Sequence, residues 1–162
     1  DLLIDCGIGG RPNPLIFWLF GVFGPDEGFH KLVPQVVRAA RNREPLDLTD
    51  GMQRRDYLFV GDAALAILAI ATLPDDSFPA GEGFNLCSGD GVSVRDFATR
   101  IAGCFGGSWL LRFGARASRP DGPGAVVGDK TKLSAFCARV GLDALSGVTP
   151  IESVFGCAQG EA

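Results

Sequence analysis

Two arginines beside an aspartate, at the mouth of an apolar run, are the residues of this 162-residue chain whose types and spacing best suit chemistry. They stand in Gly51-Met52-Gln53-Arg54-Arg55-Asp56-Tyr57-Leu58-Phe59-Val60-Gly61-Asp62, which passes directly into Ala63-Ala64-Leu65-Ala66-Ile67-Leu68-Ala69-Ile70-Ala71. The pattern predicts a strand that enters the core and feeds a buried helix with Asp62 as its N-cap. A guanidinium beside an apolar layer costs desolvation unless something anionic meets it. Either Asp56 or Asp62 meets Arg55 and fixes a loop, or the phosphate of a ligand does. The residues alone leave both open, and the internal pair is the simpler.

Other chemistries have less to stand on. Gly7-Ile8-Gly9-Gly10-Arg11-Pro12-Asn13-Pro14 invites a phosphate-loop reading, but G-x-G-x-x-G needs glycine at Pro12 and G-x-x-G-x-x-G needs it at Asn13. Proline also lacks the N–H that such a loop supplies. The five cysteines, Cys6, Cys87, Cys104, Cys137 and Cys157, form no C-x-x-C pair and have only His30 as an imidazole partner, so no metal site is expected. Their odd number and apolar neighbours suggest reduced thiols used as small hydrophobes, which fits the cytoplasm.

The elements that must position the arginine cluster follow from periodicity. A length of 162 residues with 46% hydrophobic residues fits one globular domain with a sizeable core. A net charge of −4 argues against a general nucleic-acid or anionic-membrane surface. The apolar runs 15–23 and 63–73 fall short of the roughly 20 residues a membrane span needs. Nothing near the start reads as a signal peptide. The first residue is Asp1 rather than methionine and the first pattern begins almost at once, so the chain is expected to be a piece of something longer.

In order, residues 2–6 read as a short apolar turn of helix or strand, and 15–23 as a strand buried on both faces of a parallel sheet. Leu32, Val33, Val36, Val37 and Ala40 follow helical spacing, with Arg38, Arg41 and Arg43 toward the end that suits cations. Residues 46–49 read as a short strand, Asp50-Gly51 as a turn and 84–87 as a strand. Ser93 with Asp96 makes an N-cap for a helix over 94–104 whose apolar face is Val94, Phe97, Ala98 and Ile101. Residues 108–113 read as a strand and 114–124 as a charged loop. Asp129 caps a helix that ends near Gly141, and Thr149-Pro150-Ile151-Glu152 opens a last short helix. Strands and helices alternating in this way indicate an α/β chain.

At the level of motifs the chain carries a resemblance. Leu19-Phe20-Gly21-Val22-Phe23-Gly24-Pro25, then Leu32-Val33-Pro34, then the arginine stretch, then Phe84-Asn85-Leu86-Cys87-Ser88-Gly89 with Val92-Ser93-Val94, then Arg119-Pro120 ahead of Gly128-Asp129, come in the order of the extended short-chain dehydrogenase/reductases. Residues 15–162 look like the C-terminal, substrate-binding half of these NAD-dependent epimerase/dehydratases of nucleotide sugars, and 1–14 like a remnant of the helix and loop before it. The stretch Leu48-Thr49-Asp50-Gly51 with Gln53, Arg55 and Asp56 looks most like the 4-keto-6-deoxyhexose reductases and related epimerases.

The resemblance implies an α/β substrate lobe attached to the last strands of a Rossmann-type sheet. It implies a nucleoside diphosphate sugar as partner, with Arg55 and Arg119 on the diphosphate, Leu32 and Thr49 near base and ribose, and Gly21 where the family has a substrate-contacting asparagine. Two planar guanidinium forks suit a diphosphate on physical grounds as well. Trp18 stands where the family commonly has arginine, and in the Arg119 loop the acid position falls on Gly122, with Asp121 one place early. The cofactor implied is NAD or NADP, and the reaction that of an isomerase, dehydratase or oxidoreductase.

Family chemistry needs a tyrosine with a lysine four residues on, and a glycine fingerprint for the nicotinamide cofactor. Four residues after Tyr57, the only tyrosine, is Gly61. These 162 residues are therefore expected to hold no catalytic and no cofactor-binding residue and to be inactive alone. A non-catalytic nucleotide-sugar binder or a degenerate truncated homologue is the alternative. The family's dimer helices belong to the other half, which leaves a homodimer as an option for a full-length protein. Without that half, the strand over 15–23 is expected to show an exposed apolar edge and to favour aggregation.

Overall fold

The structure, a computed structural model, describes residues 2–5, 14–79, 81–118, 124–142 and 148–157. Its elements run β1 (Leu2–Asp5), β2 (Pro14–Leu19), β3 (Gly21–Phe23), α1 (Leu32–Asn42), β4 (Leu46–Leu48), β5 (Arg54–Phe59), α2 (Val60–Ala71), β6 (Gly83–Leu86), β7 (Gly91–Ser93), α3 (Val94–Gly103), β8 (Leu111–Phe113), β9 (Ala125–Val126), α4 (Thr131–Val140) and α5 (Ile151–Val154). The chain is α/β, as its alternating pattern predicts, and it divides into two compact units. Residues 1–22, 56–90 and 127–148 make the first; residues 23–55, 91–126 and 149–162 make the second.

In the first unit, β2 lies between β1 and β6, antiparallel to β1 and parallel to β6. The expected free edge is thus covered over Leu15–Phe17, where Leu2 to Asp5 pair with Phe17 to Pro14 on one side, and Gly83 to Leu86 pair with Ile16 to Leu19 on the other. Nor is this run one strand buried on both faces. Leu15 and Phe17 are buried, whereas Trp18 and Leu19 are 43% and 41% exposed. At Phe20 the backbone leaves the ladder, because Val22 N–H turns back to the Phe20 carbonyl at 2.6 Å and starts a new strand.

The core of this unit stacks aromatic rings between sheet and helices. Phe84 is centred 4.9 Å from Phe136 on α4 and 6.2 Å from Phe17 on β2. Helix α2 adds Ala63, Ala66 and Ile70 to that core. It is not the wholly buried helix its composition suggests, since Leu65 and Leu68 are each 61% exposed. It also begins earlier than expected: Phe59 is the N-cap and Asp62 sits within the first turn. An acid there still suits the helix dipole.

In the second unit, β4 and β8 pair in parallel, Leu46 opposite Leu111. Helix α1 buries Val33, Val36, Ala39 and Ala40, the face its spacing predicts, and stops at Arg43 in the left-handed region, φ 59°. Helix α3 starts as expected, with the Ser93 hydroxyl accepting from Asp96 N–H at 2.9 Å. Its Phe97 meets Phe23 edge-on, with ring centres 5.2 Å apart. The expected strand over 108–113 opens as a 3-10 turn and becomes extended only at Leu111. The last helix starts at Ile151 with Pro150, not Thr149, at the cap.

The cysteines correct another expectation. Cys104 and Cys157, of the second unit, are joined by a disulfide, while Cys87 and Cys137 are free and buried. Cys6 lies outside the described residues, as does the glycine cluster over 7–10. Among the described residues no helix is long and apolar enough to cross a membrane.

Gly21 offers a direct test of this packing. A Cβ built there collides with the Asp56 carbonyl oxygen of the neighbouring strand, a backbone atom that has no rotamer to retreat into. Gly21→Ala is expected to cost about 1–3 kcal/mol, as overpacking does. Equal urea midpoints for parent and variant would mean that the two backbones do not approach this closely.

Candidate functional site

The strand β5 carries the arginine cluster, and its geometry separates two residues that sequence adjacency suggests are partners. Successive side chains of a strand point to opposite faces. Arg55 and Asp56 therefore cannot form a pair along an extended backbone, and they do not. Asp56 is 1% exposed, and its carboxylate is taken up by the chain itself.

One oxygen, Oδ1, accepts from Ser88 N–H and from the Ser88 hydroxyl, both at 2.7 Å. The other, Oδ2, accepts from Gly89 N–H at 3.0 Å and Gly128 N–H at 3.2 Å. Ser88 in turn accepts from Asp90 N–H at 3.1 Å, and its carbonyl accepts from the Lys130 ammonium at 2.7 Å. A buried charge is costly unless hydrogen-bonded, and a carboxylate that receives several N–H donors is the arrangement that compensates it. All of these residues belong to the first unit. Asp56 thereby ties strand β5 to the turn after β6 and to the turn before α4.

The same carboxylate colours its surroundings. Burial first, and the Asp56 charge second, push the Cys87 thiol up to about 11. Nearby, Asn85 donates to the Asp129 carbonyl at 3.0 Å, and the Asp129 carboxylate accepts from Thr131 N–H at 2.9 Å. Hydrogen bonds from the Thr131 hydroxyl and N–H hold Asp129 below the usual carboxylate range. The helix cap predicted for Asp129 is thus realised one residue outside the helix, Lys130 being the N-cap.

The expected ligand-binding residues fall as follows. Gly21 is in the first unit, pressed against the Asp56 backbone. Leu32, Thr49 and Arg55 are in the second unit. Leu32 is the half-buried first residue of α1. The Thr49 carbonyl accepts from Gly114 N–H at 3.1 Å, and the Leu48 carbonyl accepts from Arg116 N–H at 3.0 Å, so β4 borders the charged loop that starts at Gly114. Arg119, Pro120, Asp121 and Gly122 lie outside the described residues.

Arg55 is half-buried, and its Nη1 donates to the Arg54 carbonyl at 2.7 Å. Arg54 is more exposed; its N–H donates to the Gly124 carbonyl at 2.8 Å and its guanidinium donates to the Gly91 carbonyl. Beyond Gly124, β9 pairs in parallel with β5, Ala125 opposite Arg54 and Val126 opposite Arg55. The chain over Gly124 to Val126 therefore runs alongside the arginine cluster.

Two residues outside the expected set hold this place. Arg95 Nε donates to the Asp50 carbonyl at 3.0 Å, and its guanidinium lies 4.3 Å from the centre of the Phe113 ring. Gly51, at φ 69°, lets the turn approach so closely that a Cβ would stand 2.9 Å from Arg95 N. The legible signal was Asp50-Gly51, a turn pair; that Arg95 would close on it was not visible.

The glycine-bearing turn over 88–91 is the obvious supplier of backbone donors, but Ser88 N–H and Gly89 N–H are both committed to Asp56. They are unavailable to a pyrophosphate.

Comparison with known proteins agrees with the motifs. The NAD dependent epimerase/dehydratase family matches residues 11–87. CDP-abequose synthase of Salmonella typhimurium is 27% identical over 130 residues, 78% of this chain and 43% of that protein. MoeE5, solved in complex with UDP-glucose and NAD, matches 88% of this chain and 44% of its own at 20% identity and a TM-score of 0.69, which shows the fold. TunA, an NAD dependent NDP-hexosamine 5,6-dehydratase involved in tunicamycin biosynthesis, matches 88% of this chain and 42% of its own, with 25% identity and a TM-score of 0.65. The chain spans less than half the length of these relatives. The resemblance to the epimerase/dehydratase family and the α/β fold it implies are borne out.

Two outcomes follow from the Asp56 cluster. Asp56→Ala strands Ser88, Gly89 and Gly128 N–H groups and is expected to cost about 3–5 kcal/mol by urea denaturation; a loss under 1 kcal/mol, within the range of about 0.5 kcal/mol for surface changes or close to it, would mean the carboxylate is not the anchor. Cys87 at pH 8, with on the order of one thiol in a thousand ionised, is expected to resist iodoacetamide in the native protein and to label on denaturation. Native labelling at the rate of an exposed thiol, read by mass spectrometry, would contradict its burial.

Proposed function

We propose, from the chain's kinship with the NAD-dependent epimerase/dehydratase family, that residues 15–162 are the substrate-binding half of an NAD(P)-dependent nucleotide-sugar epimerase, dehydratase or reductase. Its ligand is a nucleoside diphosphate sugar. The hydride carrier and the acid/base pair come from outside these 162 residues, which do not catalyse alone. In this reading Arg55 and Arg119 grip the diphosphate, one planar fork from each of two segments. Leu32 and Thr49 border the base and ribose.

The observation that carries the reading is the parallel pairing of β9 with the start of β5, Val126 opposite Arg55. That pairing returns the segment following Arg119 to the strand that bears Arg55, with four residues of sequence between Arg119 and Gly124, whose carbonyl accepts from Arg54 N–H. A second observation is compatible with the same role: the Asp56 carboxylate is met by backbone N–H groups and the Ser88 hydroxyl, so Asp56 is not the anion that Arg55 meets. Relatives solved with UDP-glucose, or named for nucleotide-sugar chemistry, agree with a ligand of this class.

A second reading, a nucleotide-sugar binder that does no chemistry, is favoured by Gly21. Where the family has a substrate-contacting asparagine, this strand has no room for a side chain at all. Reading the gene upstream of Asp1 separates the two: a glycine fingerprint and a Tyr-x-x-x-Lys there belong to the first.

Calorimetry tests the shared part. The parent chain is expected to bind a nucleoside diphosphate sugar, and Arg55→Ala with Arg119→Ala to lose about 1.5–3 kcal/mol per charged contact, roughly tenfold or more in affinity for each. Identical titrations for parent and double variant would remove the diphosphate from these arginines.

A further inference from the structure

The second unit contains a covalent tie that the functional reading does not use. Cys104 follows α3 and Cys157 follows α5, and the bond between them closes 53 residues of chain with Cα atoms 5.1 Å apart. Helix α5 has only four residues, Ile151–Val154. A helix so short does not persist by itself, so its place depends on what fastens it.

Three non-covalent contacts help. Ile151 is buried; Glu152 accepts from Arg100 Nε and Nη2, both at 2.9 Å; and the Phe155 ring meets Phe105 edge-on at 6.0 Å. The ion pair is weak as a fastener, because the Arg100 side chain is 46% exposed and exposed pairs contribute little. Unlike the buried Cys87 and Cys137, the two bonded cysteines are partly exposed, which leaves the bond open to attack by a small thiol.

We propose that Cys104–Cys157 is a redox-operated latch that holds the C-terminal helix on the end of α3. To open it, the thiolate of a glutathione-class thiol attacks one sulfur, breaking the S–S bond and releasing the other cysteine as a thiolate. A second thiol resolves the mixed disulfide, so that two protein thiols and one small-molecule disulfide result. Closure is the reverse: the two cysteines give up two protons and two electrons, and a glutathione-class disulfide accepts them.

The latch sits where its release matters to the unit. In the turn after α3, the Gly106 carbonyl accepts from Arg43 Nη1 at 2.8 Å, and Phe105 carries the Arg41 guanidinium 5.0 Å from its ring centre. Gly107 packs so tightly on α1 that a Cβ would lie 2.8 Å from the Ala40 Cβ. Opening the latch removes Phe155 from Phe105 and loosens the seat of the C-terminal end of α1.

The test combines thiol counting with proteolysis of the full chain. After exposure to glutathione disulfide, the denatured protein is expected to titrate two fewer thiols than after dithiothreitol. Chymotrypsin is expected to cleave after Phe155 about tenfold faster in the reduced than in the oxidised protein, with cleavage at the Phe97 position of α3 unchanged. Cys157→Ser under oxidising conditions is expected to match the reduced parent. Equal thiol titres in the two states, or cleavage after Phe155 at the same rate in oxidised parent, reduced parent and variant, would overturn the latch.

Discussion

The buried carboxylate of Asp56 is the constraint on which the first unit depends. Taking a carboxylate to 1% exposure is unfavourable unless its lone pairs are met, and here backbone N–H groups and one hydroxyl meet them. The compensation works in both directions. The turn over 88–91 and the residue before Asp129 hold backbone donors that no strand or helix ladder satisfies, and the carboxylate satisfies them. One side chain thus substitutes for missing secondary structure at two turns. It also raises the cost of ionising the adjacent Cys87, which keeps that thiol in the role of a small hydrophobe.

How much of this could be read from the residues alone depended on the length scale of the signal. Helices α1 and α3 were legible because their apolar faces repeat at helical spacing and because Ser93 lies three residues before Asp96. The left-handed glycine at Gly141, φ 71°, likewise ended α4 where expected. Local chemistry failed wherever a distant segment decided the outcome. The apolar run over 15–23 reads as one strand, but the backbone bond from Val22 back to Phe20 divides it. Nothing in that run announces that β1 will fold back to cover it.

The candidate site divides in the same way. The residues offer Arg55 three anions, Asp56, Asp62 or a ligand phosphate, and the structure removes Asp56 from that choice, because sequence adjacency hides strand alternation. The true partners of Asp56 lie 32 to 72 residues away in sequence. Cysteine connectivity was equally closed to inspection, since spacing does not determine which thiols meet. Cys104 and Cys157 are separated by 53 residues and were read as free. Arg95 followed the same rule: its place against Asp50 and Phe113 is a product of how α3 starts.

The alternation of Arg54, Arg55 and Asp56 along β5 carries one more consequence. A strand that slips by one residue exchanges its two faces. For β5 a slip in one direction would set the Arg55 guanidinium among the Ser88, Gly89 and Gly128 amides, donor facing donor; a slip in the other would set Tyr57 there and turn the carboxylate out to where Arg55 now stands. The order Arg-Arg-Asp therefore codes for one alignment of this ladder, because either miscount leaves the waiting amides without the carboxylate that meets them.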